Sequence, residues 1–255
     1  MTKFVRINDM RDGKWGVVDD KSIAVLAKAP YLGLERTGVT IPYDDKNLLA
    51  PVEPSKIVCV GLNYREHIKE SQSASAVPEE PILFIKPPTA VIGPNDKIPC
   101  YSKLDRVDYE GELAVIIGKR IFRADEAQVK AAIFGYTCLN DVTARNLQKK
   151  DVQWTRAKGF DGFCPVGPWI VTNIDPADLK IETFLNDEVR QSGRTSEQIW
   201  DVLALISFIS QVMTLLPGDV ISTGTPKGVG PVKPGDIVKI TIENIGTLIN
   251  GVKLA

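Results

Sequence analysis

The stretch Val107-Asp108-Tyr109-Glu110-Gly111-Glu112-Leu113-Ala114-Val115-Ile116-Ile117 begins acidic and ends entirely apolar. It reads as one strand over residues 108–118 that runs from a polar rim into the core. Side chains at i and i+2 of a strand project from the same face, so Glu110 and Glu112 point together. Two adjacent carboxylates repel unless a proton or a cation lies between them. Gly111 lets another group approach the backbone closely. An edge strand with two solvated glutamates fits the same pattern.

Outward from this stretch the chain repeats short β-like runs at residues 4–7, 15–18, 23–26 and 57–61. Pro-Gly-Asp turns at 217–219 and 234–236 feed further β-branched runs. Asn186-Asp187 and Asn250-Gly251 read as hairpin turns, the second more strongly. Helical segments are few. One covers 63–70; another spans about 125–134, opened by Asp125 with Gln128 three residues on. A third is opened by Thr195 with Gln198, with Ile199, Leu203, Ile206, Ile209 and Met213 at helical spacing. There is no regular βαβα alternation, which disfavours a doubly wound sheet or a TIM barrel. The predicted class is a β-rich α+β fold. Residues 1–50 form a small β-rich N-terminal segment, joined through a linker near 44–54 to a catalytic domain over 51–255.

The 255 residues carry 31 Lys and Arg against 32 Asp and Glu, a net charge of -1. No basic tract is present, so nucleic acid is not an expected partner. The longest apolar stretch, 202–216, is interrupted by Ser207, Ser210, Gln211 and Thr214 and is too short for a bilayer. The first residues show no apolar signal region, and the expectation is a soluble cytoplasmic protein without membrane association. Cys59, Cys100, Cys138 and Cys164 form no Cys-x-x-Cys pair, which points to reduced, buried thiols. The single histidine, His67, excludes a multi-histidine metal site.

Asp141 follows an apolar run and precedes a polar helical segment. It either caps that helix or joins Glu110 and Glu112 as a third oxygen ligand, a set suited to Mg²⁺ or Mn²⁺. His67 and Glu70 stand at i and i+3 of a helix, either as a surface pair or as an imidazole whose tautomer a carboxylate fixes for base catalysis. The Ser/Ala/Pro-rich residues 71–81 read as a mobile loop able to close over them. Gly224-Thr225-Pro226-Lys227-Gly228-Val229-Gly230 lacks the ending of a phosphate loop and reads as a tight turn whose N–H groups hold a substrate carboxylate. Lys158, among aromatic residues and glycine, is either exposed or meets an anion.

Four segments taken together resemble the fumarylacetoacetate hydrolase superfamily, over roughly residues 55–250. They are Val60-Gly61-Leu62-Asn63-Tyr64 with His67 and Glu70, Asp108-Tyr109-Glu110-Gly111-Glu112-Leu113, Asn140-Asp141-Val142-Thr143-Ala144-Arg145, and the 224–230 turn. The resemblance implies a rolled mixed β-sheet fold and a homodimer. It implies that Glu110, Glu112 and Asp141 are Mg²⁺ or Mn²⁺ ligands. It also implies that Lys158 is the motif lysine, and that Arg145, Gln148 and Thr225 hold the substrate's acid end. Only about 50 residues precede the core, unlike the fumarylacetoacetases of tyrosine breakdown.

The resembling members that keep a His-x-x-Glu pair are acylpyruvate hydrolases and oxaloacetate decarboxylases. The expected chemistry is therefore cleavage of a C–C bond in a small 2-oxo acid through a metal-stabilised enolate. In that scheme His67, oriented by Glu70, delivers water, and Lys158 stabilises an oxyanion. Isomerisation of a 2-hydroxyhepta-2,4-diene-1,7-dioate or a 5-carboxymethyl-2-hydroxymuconate is the alternative. A non-catalytic, metal-dependent ligand-binding protein is a third reading, and it leaves the His67–Glu70 pair without a task.

Overall fold

The computed structural model describes residues 1–8, 13–70 and 76–255. In chain order the strands open with β1 (Thr2–Ile7), β2 (Lys14–Asp19), β3 (Ser22–Leu26), β4 (Arg36–Pro42) and β5 (Leu48–Leu49). Next come β6 (Ile57–Gly61), β7 (Ile82–Lys86), β8 (Val91–Ile92), β9 (Lys97–Cys100), β10 (Val107–Tyr109) and β11 (Gly111–Ile117). They continue with β12 (Ile133–Asn140), β13 (Thr143–Ala144), β14 (Cys164–Thr172), β15 (Lys180–Leu185) and β16 (Glu188–Arg194). The last are β17 (Val220–Ser222), β18 (Gly230–Pro231), β19 (Ile237–Ile242) and β20 (Gly246–Leu254). The α-helices are α1 (Arg65–Glu70), α2 (Glu126–Ala132), α3 (Arg145–Lys150), α4 (Thr155–Lys158) and α5 (Val202–Val212). None of the described helices is long and apolar enough to cross a membrane.

Among the described residues the largest sheet runs β4-β3-β2-β1-β14-β12-β11-β17-β6-β7, with β5 on β1 and β8 on β14. Most pairs are antiparallel, but β17–β6 and β14–β8 are parallel, so the sheet is mixed. A second sheet, β16-β15-β19-β20-β9, packs over β11, β12 and β14. The N-terminal strands join the large sheet through the β1–β14 pair. This is the β-rich α+β fold that the sequence predicts.

The apolar run that opens the sequence argument is the centre of the molecule. Leu113, Val115 and Ile117 face the core between the two sheets. Ala114 and Ile116 face a second core with Phe4, Trp15, Tyr31 and Ile170. A strand buried on both faces needs continuous rather than alternating hydrophobicity. Each large side chain hidden this way contributes about 1.5–3 kcal/mol.

Several local expectations need correction. The 108–118 segment is two strands broken at Glu110: β10 belongs to a small separate sheet with β13 and β18, and β11 to the large one. At the break, side-chain amides take over the ladder, since Glu110 N–H donates to Asn140 Oδ1 and Gly111 N–H to Gln191 Oε1, both at 2.9 Å. The Thr195–Gln198 capping box does not open a helix. Thr195 is spent on Leu179 and Pro176, residues 195–197 make one 3-10 turn, and α5 begins at Val202 with Asp201 as its cap. Ile199 therefore lies outside the helix, its N–H donating to Asn63 C=O.

Asn250-Gly251 is not a turn either. It lies inside β20, where the buried Asn250 amide donates to the carbonyls of Gly93 and Asp96. The hairpin turns instead at 243–245, where Asn244 takes φ 62°. The other turn readings hold: Asn186 and Asp187 both have positive φ, and Gly218 and Gly235 take φ 89° and 97° in their Pro-Gly-Asp turns. Asp125 and Gln128 form the reciprocal capping box of α2, which stops at Ala132 because Ile133 enters β12. All four cysteines are buried and unpaired. The loop expected over 71–81 falls partly on residues 71–75, outside the described residues; residues 76–81 are irregular.

Candidate functional site

Three chain segments converge to build the site. Glu112, on β11, is 2% exposed and accepts hydrogen bonds from the Ser222 hydroxyl and the Gly224 N–H. Glu110, in the break between β10 and β11, pairs with Arg145 through Oε1 and with Lys158 through Oε2. Asp141 follows β12 directly and donates its backbone N–H to the Glu110 carbonyl, which fixes the two acids side by side. Asp141 is not a helix cap: α3 starts at Arg145 with Ala144 before it and no side-chain cap. One carboxylate oxygen from each of Glu110, Glu112 and Asp141 lies within 4.8 Å of the others, and all three residues are buried.

The electrostatics of the three acids differ. Burial pushes Glu110 up, but the Lys158 and Arg145 charges outweigh it and hold the carboxyl well below its usual range. Glu112 forms no ion pair among the described residues; burial and then the Asp141 and Glu110 charges outweigh the Ser222 hydrogen bond and the Lys158 charge and push it up to about 8. An all-oxygen, clustered set of this kind fits a hard divalent cation.

Lys158, on α4, is 2% exposed, so the expectation that it either meets an anion or is exposed resolves to the first. Its ammonium donates to Glu110 Oε2 at 3.0 Å and to Asp141 Oδ2, and lies 4.9 Å above the Phe84 ring. Burial lowers its affinity for the proton, but Asp141 and Glu110 more than restore it. Arg145 and Gln148, one turn apart on α3, bond to each other through Nη1 and Oε1 at 2.8 Å. The Arg145 guanidinium is further held by Asp108, at 2.8 Å from its Nε.

His67 and Glu70 meet as expected, with Nδ1 3.1 Å from Oε1, and His67 is buried rather than on the surface. The Glu70 carboxylate also accepts the Gly228 and Val229 N–H groups. Within the 224–230 turn, the Gly224 N–H therefore holds the Glu112 carboxylate, and the Gly228 and Val229 N–H groups hold that of Glu70. Thr225 lines the cavity of the site, its hydroxyl donating to Gly111 C=O and accepting from Gln191 Nε2, both at 2.8 Å.

His67, Glu110, Glu112, Asp141, Arg145, Gln148, Lys158 and Thr225 line one common cavity. Sequence reasoning missed Lys86, which ends β7 with no exposure at all and donates to Asp141 Oδ1 and the Val142 carbonyl. The available signal was a lone lysine closing the apolar run Ile82-Leu83-Phe84-Ile85. A buried ammonium requires a buried carboxylate nearby.

With this geometry in view, comparison with known proteins is direct. Residues 56–253 match the model of the fumarylacetoacetate (FAA) hydrolase C-terminal family, and residues 2–51 match a model described as Rv2993c-like, N-terminal. The chain is 40% identical over 257 residues to the oxaloacetate tautomerase YisK of Bacillus subtilis, covering 96% of this chain and 85% of that protein. Its structure superposes with a TM-score of 0.91, at 46% identity, on the 2-hydroxyhepta-2,4-diene-1,7-dioate isomerase of Mycobacterium marinum, covering 100% and 99% of the two chains. It also matches maleylpyruvate hydrolase from Sphingobium sp. SYK-6, solved with manganese(II) and pyruvate, with a TM-score of 0.81 at 33% identity and 99% coverage of both chains.

Proposed function

The chain belongs to the fumarylacetoacetate hydrolase family, and we propose on that premise that it interconverts keto and enol forms of a 2-oxo acid such as oxaloacetate. The observation that carries this reading is the placement of His67, paired with Glu70, and a buried acidic triad around one common cavity. Glu70 is an acceptor only, so Nδ1 of His67 carries the proton of their hydrogen bond and Nε2 keeps its lone pair. That nitrogen is the base for the C3 proton and returns it to the enol oxygen or to carbon. Lys158 counters the negative charge that develops on the 2-oxo oxygen, and Arg145 with Gln148 orients the acid end. A divalent cation held by Glu110, Glu112 and Asp141 would add Lewis-acid stabilisation of the enolate.

The Bacillus relative named an oxaloacetate tautomerase supports proton transfer over bond cleavage, and the pyruvate and manganese of the Sphingobium structure support the ligand and metal classes. C–C cleavage, expected from the sequence, stays as a second reading because the same dyad can activate a water. Enol-oxaloacetate is the discriminating substrate. Faster ketonisation without pyruvate release supports the tautomerase; stoichiometric pyruvate from oxaloacetate or acetylpyruvate supports cleavage. Neither signal, with a shift of double bonds in a dienedioate, would move the assignment to isomerisation.

The metal reading is checked by calorimetric titration of Mn²⁺ into the wild type and into Glu112→Gln. The variant is expected to lose at least the ~10–100-fold in affinity that removing an outer-shell partner costs. Equal affinities would remove Glu112 from the ligand set.

A further inference from the structure

The polar side of the cavity has a counterpart that the reaction does not use. Val60, Gly61, Leu62, Phe84 and Trp154 form its apolar side. Trp154, just before α4, lies with its ring edge on the backbone of Gly61, where an added Cβ would be 2.9 Å from indole Cζ3. Its other contact is Phe84, with ring centroids 5.4 Å apart at an interplanar angle of 72°. Phe84 in turn lies under the Lys158 ammonium, so the apolar wall and the cationic side of the site touch directly.

Leu62 is held in a conformation that leucine does not choose. Its φ is 59°, in the left-handed region where a bulky side chain is a strained outlier. The following residue locks it there: Asn63 donates to the carbonyls of Trp200 and Thr223 and accepts the Trp200 N–H, all within 3.0 Å. A glycine or asparagine would adopt this backbone more easily. Strain of this kind persists where the position of the side chain matters, and Leu62 is 5% exposed against the cavity.

We propose that Leu62 and Trp154 form a length gauge that restricts the site to short 2-oxo acids. This rests on the 2-oxo acid reading above and adds the size of the distal group. The carboxylates of the ligand take the side of Arg145, Gln148 and Lys158, which leaves the C3 side of its chain against the apolar wall. Leu62 cannot retreat without breaking the Asn63 bonds beside it, and the Trp154 ring is set between Gly61 and Phe84. A long alkyl tail extending from C3 therefore overpacks the wall.

The test measures binding of oxalate, pyruvate, 2-oxobutyrate and 2-oxohexanoate by calorimetry in the presence of Mn²⁺, for the wild type, Trp154→Ala and Leu62→Gly. In the wild type, affinity should fall on the order of tenfold or more between pyruvate and 2-oxohexanoate, the usual consequence of overpacking. In the variants the trend should reverse, with about fourfold tighter binding per methylene, as in an open apolar site. Leu62→Gly deletes the side chain and the backbone strain together, so it reads the wall even if Trp154→Ala fails to fold. Oxalate, too small to reach the wall, should bind all folded variants alike. Wild-type binding of oxalate with no penalty for 2-oxohexanoate, or an unchanged trend in both variants, would overturn the gauge alone. Absence of oxalate binding by the wild type would overturn the 2-oxo acid reading and the gauge with it.

Discussion

Replacing His67 by Asn should lower the rate of enol–keto conversion by ~10²–10⁴-fold, the range contributed by a positioned general base. The protein has no second imidazole to substitute for it. Mn²⁺ affinity should stay within about twofold, because the three clustered carboxylates are Glu110, Glu112 and Asp141 and do not include the ring. Glu70→Gln should show a smaller loss in the same direction. Its amide cannot accept from Nδ1 and from the Gly228 and Val229 N–H groups with two carboxylate oxygens, so the ring loses its fixed tautomer. The measurement is initial rate and Mn²⁺ titration on the same preparations. A His67 variant with near wild-type turnover would assign proton transfer to another group, and one that cannot bind Mn²⁺ would give His67 a structural role.

These residues show what a sequence can and cannot reveal here. The apolar run Leu113-Ala114-Val115-Ile116-Ile117 is legible because burial on both faces requires every position to be apolar. The Asp125–Gln128 box is legible because its partners are three residues apart and the bonds are local. Thr195–Gln198 has the same spacing, yet Thr195 bonds to Pro176 and Leu179, and Gln198 reaches Thr223 Oγ1. Long-range partners won over the local one, and nothing within the motif signals that. The Asn250-Gly251 pair misleads for the same reason, since the Asn250 amide serves the 93–96 turn from the middle of a strand.

The site divides along the same line. The Glu110–Glu112 and His67–Glu70 pairs are encoded by spacings of two and three residues. Lys86, Gln191 and the apolar wall depend on which strands become neighbours, and that is set by the sheet order β17-β6-β7 and by the sheet crossing it. Glu70 shows both sides at once. Its link to His67 is local, while its clamp on Gly228 spans 158 residues and makes that part of the 224–230 turn a support for the base.

Lys86 gives the largest expected effect on stability. Neither its side chain nor that of Asp141 is more than 1% exposed, so their ion pair is fully desolvated. Removing one member of such a pair costs about 3–5 kcal/mol, because the other charge remains buried without its partner. Lys86→Met keeps most of the side-chain volume and deletes the charge. It should fall near the lower end of that range, since Lys158 still reaches Asp141 Oδ2. The Val142 carbonyl would also lose its buried donor.

Divalent metal should offset part of this loss. In the wild type two lysines and Arg145 already oppose the three carboxylates, which weakens the attraction for a further cation. Without Lys86 the cluster carries one more uncompensated negative charge, so Mn²⁺ binds the folded variant more tightly. A ligand that binds the folded state more tightly raises its stability by a larger increment. Denaturant unfolding with and without Mn²⁺ therefore separates two roles for Lys86. A variant that unfolds more easily but gains more from Mn²⁺ than the wild type does would identify Lys86 as the charge that holds Asp141 in place before metal arrives. An equal gain in both proteins would mean that Lys86 stabilises β7 alone and is not coupled to the metal site.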